Sequence, residues 1–305
     1  MKGRKIFLIA ADVVLLAVCI FQWIAAAKDN VKTFEFKEDA DELTVEGSFG
    51  SYTLSKQGDE WFIGEKKFPA NAGSVDVMVS AVESIRALDK MGRASNETVS
   101  ARYDLTDSKA IKVTVKAQGK VVRSLNIGKE SSTGTQCYVT VDGGDDIYLI
   151  ASNLMNTFNK TVDDLRSKTV YQVESETITS IAVSDADSDN WTVSRFGNGE
   201  DVVWSVSGVN VEVDSDKAAD WFKNMSSLVT TKWYDENYKG GGEKLSSFRI
   251  STISKTISVD VYRVPAENAD AKDSYYAKCS ESPYYFEVPS YSVQKFQKTA
   301  SDIAK

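Results

Sequence analysis

Residues 6–27, "IFLIAADVVLLAVCIFQWIAAA", are apolar almost throughout, with Asp12 and Gln22 as the strongly polar exceptions. As a helix these 22 residues would extend roughly 33 Å, enough to cross a bilayer core. The apolar part of a cleaved signal peptide is shorter, about 7 to 15 residues, so the length predicts an uncleaved signal anchor. Cys19 after "LAV" loosely resembles a lipoprotein acylation site, but the apolar run continues past it. Lys2, Arg4 and Lys5 hold the tip, residues 1–5, in the cytoplasm and place the chain beyond residue 27 outside. Trp23 suits the outer interface. Asp12 is tolerated near the cytoplasmic end of such a span, or else meets a partner helix. The expected location is the cytoplasmic membrane, single-pass, with the N-terminus inside.

After a linker over 28–43 the pattern changes to short alternating runs. "YTLSK" (52–56) and "EWFIG" (60–64) alternate on either side of "QGD", which predicts a hairpin. Val75, Met78, Val82, Ile85 and Leu88 then recur at helical spacing, behind Asn71 or Ser74 as a cap. "AIKVTVKAQGKVVRSLNIG" reads as two strands around Gln118-Gly119, and "CYVTVDGGDDIYLI" as two more around Gly143-Gly144. A last helix opens at Ser152 and turns Phe158 inward.

The same order then returns. "WTVSR" at 191–195 repeats "YTLSK" at an offset of 139, and a tryptophan follows each copy, Trp61 and Trp204. A helix starting near Asp214 puts Ala218, Phe222, Met225 and Val229 on one face, with Trp221 and Leu228 beside it. The strand pairs "FRISTISKTISVDVYRV" and "YYAKCSESPYYFEV" follow, then a helix from Ser290 with Phe296 inward. "YVTVDGGDDIYLIASNLMNTFNKT" aligns without gaps on "YAKCSESPYYFEVPSYSVQKFQKT" at an offset of 138. A solenoid repeat is only about 20 to 50 residues long, so this is a duplication of domain size. The expected fold class is α+β: two tandem copies of a mixed unit, 44–170 and 171–305, with mostly antiparallel strands and two helices each, preceded by one transmembrane helix. The recurring positions pack and decorate a pleated surface; no acid, base or nucleophile recurs in a reactive grouping.

Composition narrows the chemistry. The 305 residues include no histidine, which removes the commonest general base, most zinc sites and every Ser-His or Cys-His arrangement. Net charge is −8, and basic residues do not cluster beyond the N-terminal tip, so a nucleic-acid partner is disfavoured. Cys19, Cys137 and Cys279 are too few and too scattered for a disulfide framework.

Three stretches invite chemistry. Asp185, Asp187 and Asp189 alternate like the opening of a calcium loop, but Asn190 and Phe196 stand where that loop needs Gly and Glu, so a polar turn is the better account. "YKGGGEKLSS" has glycines and Lys244 without the spacing of a phosphate-binding loop. "KWYDENY" sets Trp233, Tyr234 and Tyr238 beside Asp235 and Glu236, a grouping that stacks on a sugar or anchors a protein, or else packs between units. No cofactor and no catalytic residue is expected.

The residues "EWFIG", "VDVMVSAVESIRAL", "ARYDLTD", "LNIGKE", "QCYVTVDGGDDIYLI" and "LRSKTV" resemble the bacterial domain-of-unknown-function 4340 family, well over about 44–170 and loosely over the second half. "ARYDL" departs from it, with Asp104 where glycine is common. The resemblance implies a single-pass envelope protein, often encoded beside ABC transporters of gliding-motility or polysaccharide type, and supplies no catalytic residues. The expected role is a membrane-tethered accessory or scaffold protein, a non-enzyme, with the membrane bound through residues 6–27 and ABC transporter subunits as protein partners. A glycan-binding module is the first alternative and a carboxylate-based hydrolase the second.

Overall fold

The computed structural model describes residues 15–20, 32–185, 190–197, 199–266 and 272–305. Of the apolar run 6–27, residues 15–20 are helical; the remainder, like the tip 1–5, lies outside the described residues. Among the described residues no helix is long and apolar enough to cross a membrane. The chain divides into two units, Met1–Arg166 and Ser167–Lys305. Both are mixed α+β, with every strand pairing antiparallel.

The first unit opens with β1 (Lys32–Glu35), β2 (Glu42–Gly47), β3 (Gly50–Gln57), β4 (Glu60–Ile63) and β5 (Phe68–Pro69). Helix α1 (Ala72–Glu83), β6 (Ser84–Arg93) and the short α2 (Glu97–Arg102) follow. Then come β7 (Ile111–Ala117), β8 (Lys120–Glu130), β9 (Cys137–Val141) and β10 (Asp146–Ile150), and two short helices close the unit, α3 (Leu154–Phe158) and α4 (Val162–Leu165). All ten strands share one sheet, in the order β1-β6-β10-β9-β8-β7-β2-β3-β4-β5. Alternation sets its faces: on β7, Ile111, Val113, Val115 and Ala117 are buried while Lys112, Thr114 and Lys116 are half-exposed. Gln118 and Gly119, at φ 51 and 75, turn the β7–β8 hairpin as a tight primed turn requires.

Two sequence expectations change here. The stretch expected as linker contains β1, which pairs along β6. The stripe Val75, Met78, Val82, Ile85, Leu88 does not stay on one helix: α1 ends at Glu83, and Ile85 and Leu88 belong to β6. Ile85 and Ala87 are buried and Ser84 and Arg86 exposed, a period of two that the helical spacing of Val82 and Ile85 conceals. Partners on both sides, β1 and β10, decide in favour of the strand.

A charged residue lies deep inside this core. Arg123, on the inward face of β8 with Leu125 and Ile127, is 2% exposed. Its Nε–H donates to Val82 O at 3.1 Å, at the end of α1, and its Nη1 pairs with Asp142. The Asp142 carboxylate also accepts from the Ser124 N–H at 3.0 Å. The Nη2 donor is buried with no partner.

The second unit contains β11 (Thr169–Gln172), β12 (Ile178–Asp185), β13 (Trp191–Phe196), β14 (Val203–Ser207), helix α5 (Ser215–Met225), β15 (Ser227–Val229), β16 (Glu243–Thr252), β17 (Thr256–Val264), β18 (Ser274–Cys279), β19 (Tyr285–Glu287) and α6 (Ser290–Val293). β11 and β15 form a two-stranded ribbon, and the other seven strands form a sheet in the order β14-β13-β12-β16-β17-β18-β19. Read from β4, the first sheet runs β4-β3-β2-β7-β8-β9-β10. The two orders are the same set of hairpins with the same crossover. The count of helices is not simply two each, because the first unit adds α2 and α4.

Local chemistry follows the same plan in both units. Asn71 caps α1 by accepting from the Ser74 N–H, and Asp214 caps α5 by accepting from the Asp216 and Lys217 N–H groups. Phe158 and Phe296 are buried to 0% and 1% exposure as the alignment predicts. Thr161 with Asp164, and Thr299 with Asp302, each make a reciprocal capping box on the last turn. That turn hydrogen-bonds back to the residue before the long helix: Asn71 N–H to Leu165 O at 2.7 Å, and Asp214 N–H to Ile303 O at 2.9 Å.

Candidate functional site

The aromatic grouping after β15 is placed by its backbone. Residues 232–234 run along β19, with the Tyr234 N–H donating to Tyr285 O and the Glu287 N–H to Lys232 O, both at 2.9 Å. Neighbouring residues on such a segment face opposite ways. Trp233 therefore turns into the core, 8% exposed, with its ring edge-on to Phe286 at 5.6 Å and its Nε1–H donating to Ser167 O at 2.8 Å. It is a packing residue, and no ring face of it is left for a sugar.

Tyr234 and Tyr238 lie on the other side, half-buried. They stack on each other at 4.1 Å and 13°. Tyr238 then meets Tyr276 and Tyr285 edge-on, each at 5.5 Å. Tyr276 is the centre of the group: 2% exposed, stacked on Tyr262 at 4.9 Å, with its Oη accepting from the Gly241 N–H at 2.6 Å. Burial pushes the phenols of Tyr234, Tyr238 and Tyr262 above their ordinary value, so all three remain neutral donors at physiological pH. Five tyrosines thus clamp the 235–242 loop onto the outer face of β17, β18 and β19. Stacking of Tyr234 on Tyr238 covers one face of each ring, so the cluster serves packing first.

The other sequence candidates separate. Asp185 ends β12, while Asp187 and Asp189 lie outside the described residues. Among the described residues, no group of three His, Cys, Asp or Glu side chains is arranged to hold a metal. Cys137 is buried in the first core and Cys279 in the second, both as free thiols. Burial pushes the Cys137 thiol up to about 11 and raises that of Cys279, which leaves both poor nucleophiles. Asp104 sits at φ 56, a left-handed position that favours glycine, and its carboxylate pairs with Lys109 Nζ at 2.7 Å.

Lys295 carries no sequence signal, yet its amine is held against the backbone at the end of α5. Its Nζ donates to Asn224 O at 3.2 Å and Ser227 O at 2.7 Å, at the C-terminal end of α5, where backbone carbonyls lack helical partners. Burial pulls its pKa down to about 8. A lysine in the unfolded chain titrates near 10.4. Between these values the unfolded chain holds a proton that the folded chain has shed, so stability rises with pH across that window. On moving from about pH 7.5 to 9.5, wild type should gain stability to urea relative to Lys295→Met; equal responses would show that the amine is solvated in the folded state.

Comparison of the chain with protein families gives a match. Residues 61–205 fit the family described as Domain of unknown function (DUF4340). Over that stretch the chain is similar to the DUF4340 family. The DUF4340 match begins at Trp61 in β4 and ends at Ser205 in β14, crossing from the first unit into the second. It starts later than the 44–170 over which the resemblance is read best, and it reaches into the second half, where the resemblance is looser, to include the "WTVSR" echo. The tyrosine cluster, α5 and all later strands lie beyond the DUF4340 match. Neither the curated proteins nor the solved structures give a match.

Proposed function

We propose that this chain is a membrane-tethered, extracytoplasmic accessory or scaffold protein of a cell-envelope complex, built as two tandem copies of one unit and working without catalysis. The observation that carries the reading is what the two units have in common. Tyr52 and Trp191 occupy matching places on β3 and β13 and both are buried, as are Phe158 and Phe296. The Tyr52 hydroxyl donates to Phe158 O at 3.4 Å; in the second unit the Ser246 hydroxyl donates to Phe296 O at 3.0 Å. Together with the shared strand order and paired capping boxes, these are devices of architecture. Reactive groups are not what recurs.

The tether is the apolar run 6–27, which ends only a few residues before β1. Its length and the basic tip favour insertion with the folded units outside. The partner class, ABC transporter subunits, comes from the DUF4340 resemblance and the context it implies. Affinity capture from solubilised membranes at native expression tests it: transporter subunits should co-purify, and their absence from repeated captures would reject that partner class. Protease added to intact spheroplasts should digest the units and spare the N-terminal tip; the opposite pattern would reject the tether.

A further inference from the structure

The second unit has an outer sheet face that no helix covers, and its residues form ordered rows. Across β14, β13, β12, β16 and β17 the register sets Ser207, Thr192, Ala182, Arg249 and Ser258 side by side. The next row places Ser184 beside Ser247 and Asp260. At ~4.8 Å per strand the five strands span about 19 Å. A half-open cavity of about 560 Å³ lies over these rows, within the range of small-molecule sites.

The charges in this cavity are unequal. Asp260 accepts from the Ser247 hydroxyl at 2.6 Å and pairs with Lys244 at 2.9 Å, so that carboxylate is already satisfied. Arg249 is exposed and has no partner among the described residues. Ala182 beside it is too short to crowd the guanidinium; Thr192 and then Ser207 lie beyond that gap, and Ser258 flanks Arg249 on its other side. The corresponding row of the first unit reads Thr53, Thr44, Thr114 and Ser124, without a cation, and its nearby Lys116 is tied to Glu42 at 2.6 Å. Among the described residues, an arginine in this row thus belongs to the second unit alone, and it lies beyond the residues of the family match.

We infer that this face binds an acidic saccharide, with Arg249 holding its carboxylate or phosphate and the Ser/Thr rows meeting its hydroxyls. A guanidinium supplies paired donors that fit either anion, while hydroxyls both donate and accept, as sugar hydroxyls require. A simple anion would leave most of the cavity and its hydroxyls unused. The site is separate from the Trp233 grouping and independent of the scaffold role.

Calorimetry on the full-length chain in detergent micelles tests this, with trigalacturonate, a hexose phosphate, neutral maltotriose and inorganic phosphate as probes. One or both acidic sugars should bind at about millimolar or tighter, and which one does identifies the anion. Arg249→Ala, an exposed substitution that leaves the core untouched, should weaken binding roughly 10- to 100-fold. Thr192→Val should weaken it less, and Arg102→Ala in the first unit should not change it. No binding of either acidic sugar, or an Arg249→Ala variant that binds as well as wild type, overturns the site. Maltotriose binding equally well overturns the role of the anion, and inorganic phosphate binding equally well overturns the saccharide.

Discussion

Asp142→Ala is expected to destabilise the first unit by about 3 kcal/mol, because it leaves the Arg123 guanidinium buried without its counter-charge. Arg123 has little freedom to escape: it is 2% exposed and held at Nε by Val82 O. The substitution also removes the acceptor of the Ser124 N–H, at the turn joining β9 to β10. Arg123→Met should cost much less than Asp142→Ala. It removes the charge and the orphan Nη2 donor together, and it keeps an unbranched chain in the space. Urea unfolding of the two variants checks the order. If Arg123→Met were the more damaging, the pair would be a net source of stability rather than a locked cost.

Phe158→Ala and Phe296→Ala should each cost about 3–5 kcal/mol, among the largest single-residue effects in their units. Both rings are buried to 1% exposure or less, and each lies where a short closing helix meets the sheet. Phe296 packs edge-on against Phe248 at 5.2 Å, so its loss also removes an aromatic pair. The carbonyls of both residues accept side-chain hydroxyls, from Tyr52 and Ser246, so backbone displacement at the vacated site would weaken those bonds too. Thermal unfolding followed by near-ultraviolet circular dichroism checks this; a shift of only a degree or two for either variant would mean that the closing helices contribute little to the cores.

These phenylalanines were legible in the sequence because an alignment of the two halves places them at matching positions, and burial is the common cause of both. The strands were legible for a related reason: Ile111, Val113 and Val115 alternate with lysine and threonine, and one open face demands that period. The end of α1 was not legible. Val82, Ile85 and Leu88 satisfy a helix and a strand equally, and the choice rests on β1 and β10, which are distant in sequence. The aromatic grouping was legible as a cluster but not in direction, since adjacent residues of an edge segment point to opposite sides and nothing local says which of Trp233 and Tyr234 turns inward. Arg123 shares its parity with Leu125 and Ile127, a hint of burial that its charge argues against. Arg249 shows the reverse: alternation in "FRISTISK" places it outward, but its isolation among hydroxyls depends on the register of four other strands.

The last turn of each unit reaches back to the residue before its longest helix, through Leu165 to Asn71 and Ile303 to Asp214. Each unit is therefore clasped shut near its own end. A truncation that stops five residues short does not trim a tail; it unfastens the start of α1 or α5 and exposes the helix donors that the clasp shelters. The natural place to cut the chain for work on isolated halves is thus between Arg166 and Ser167.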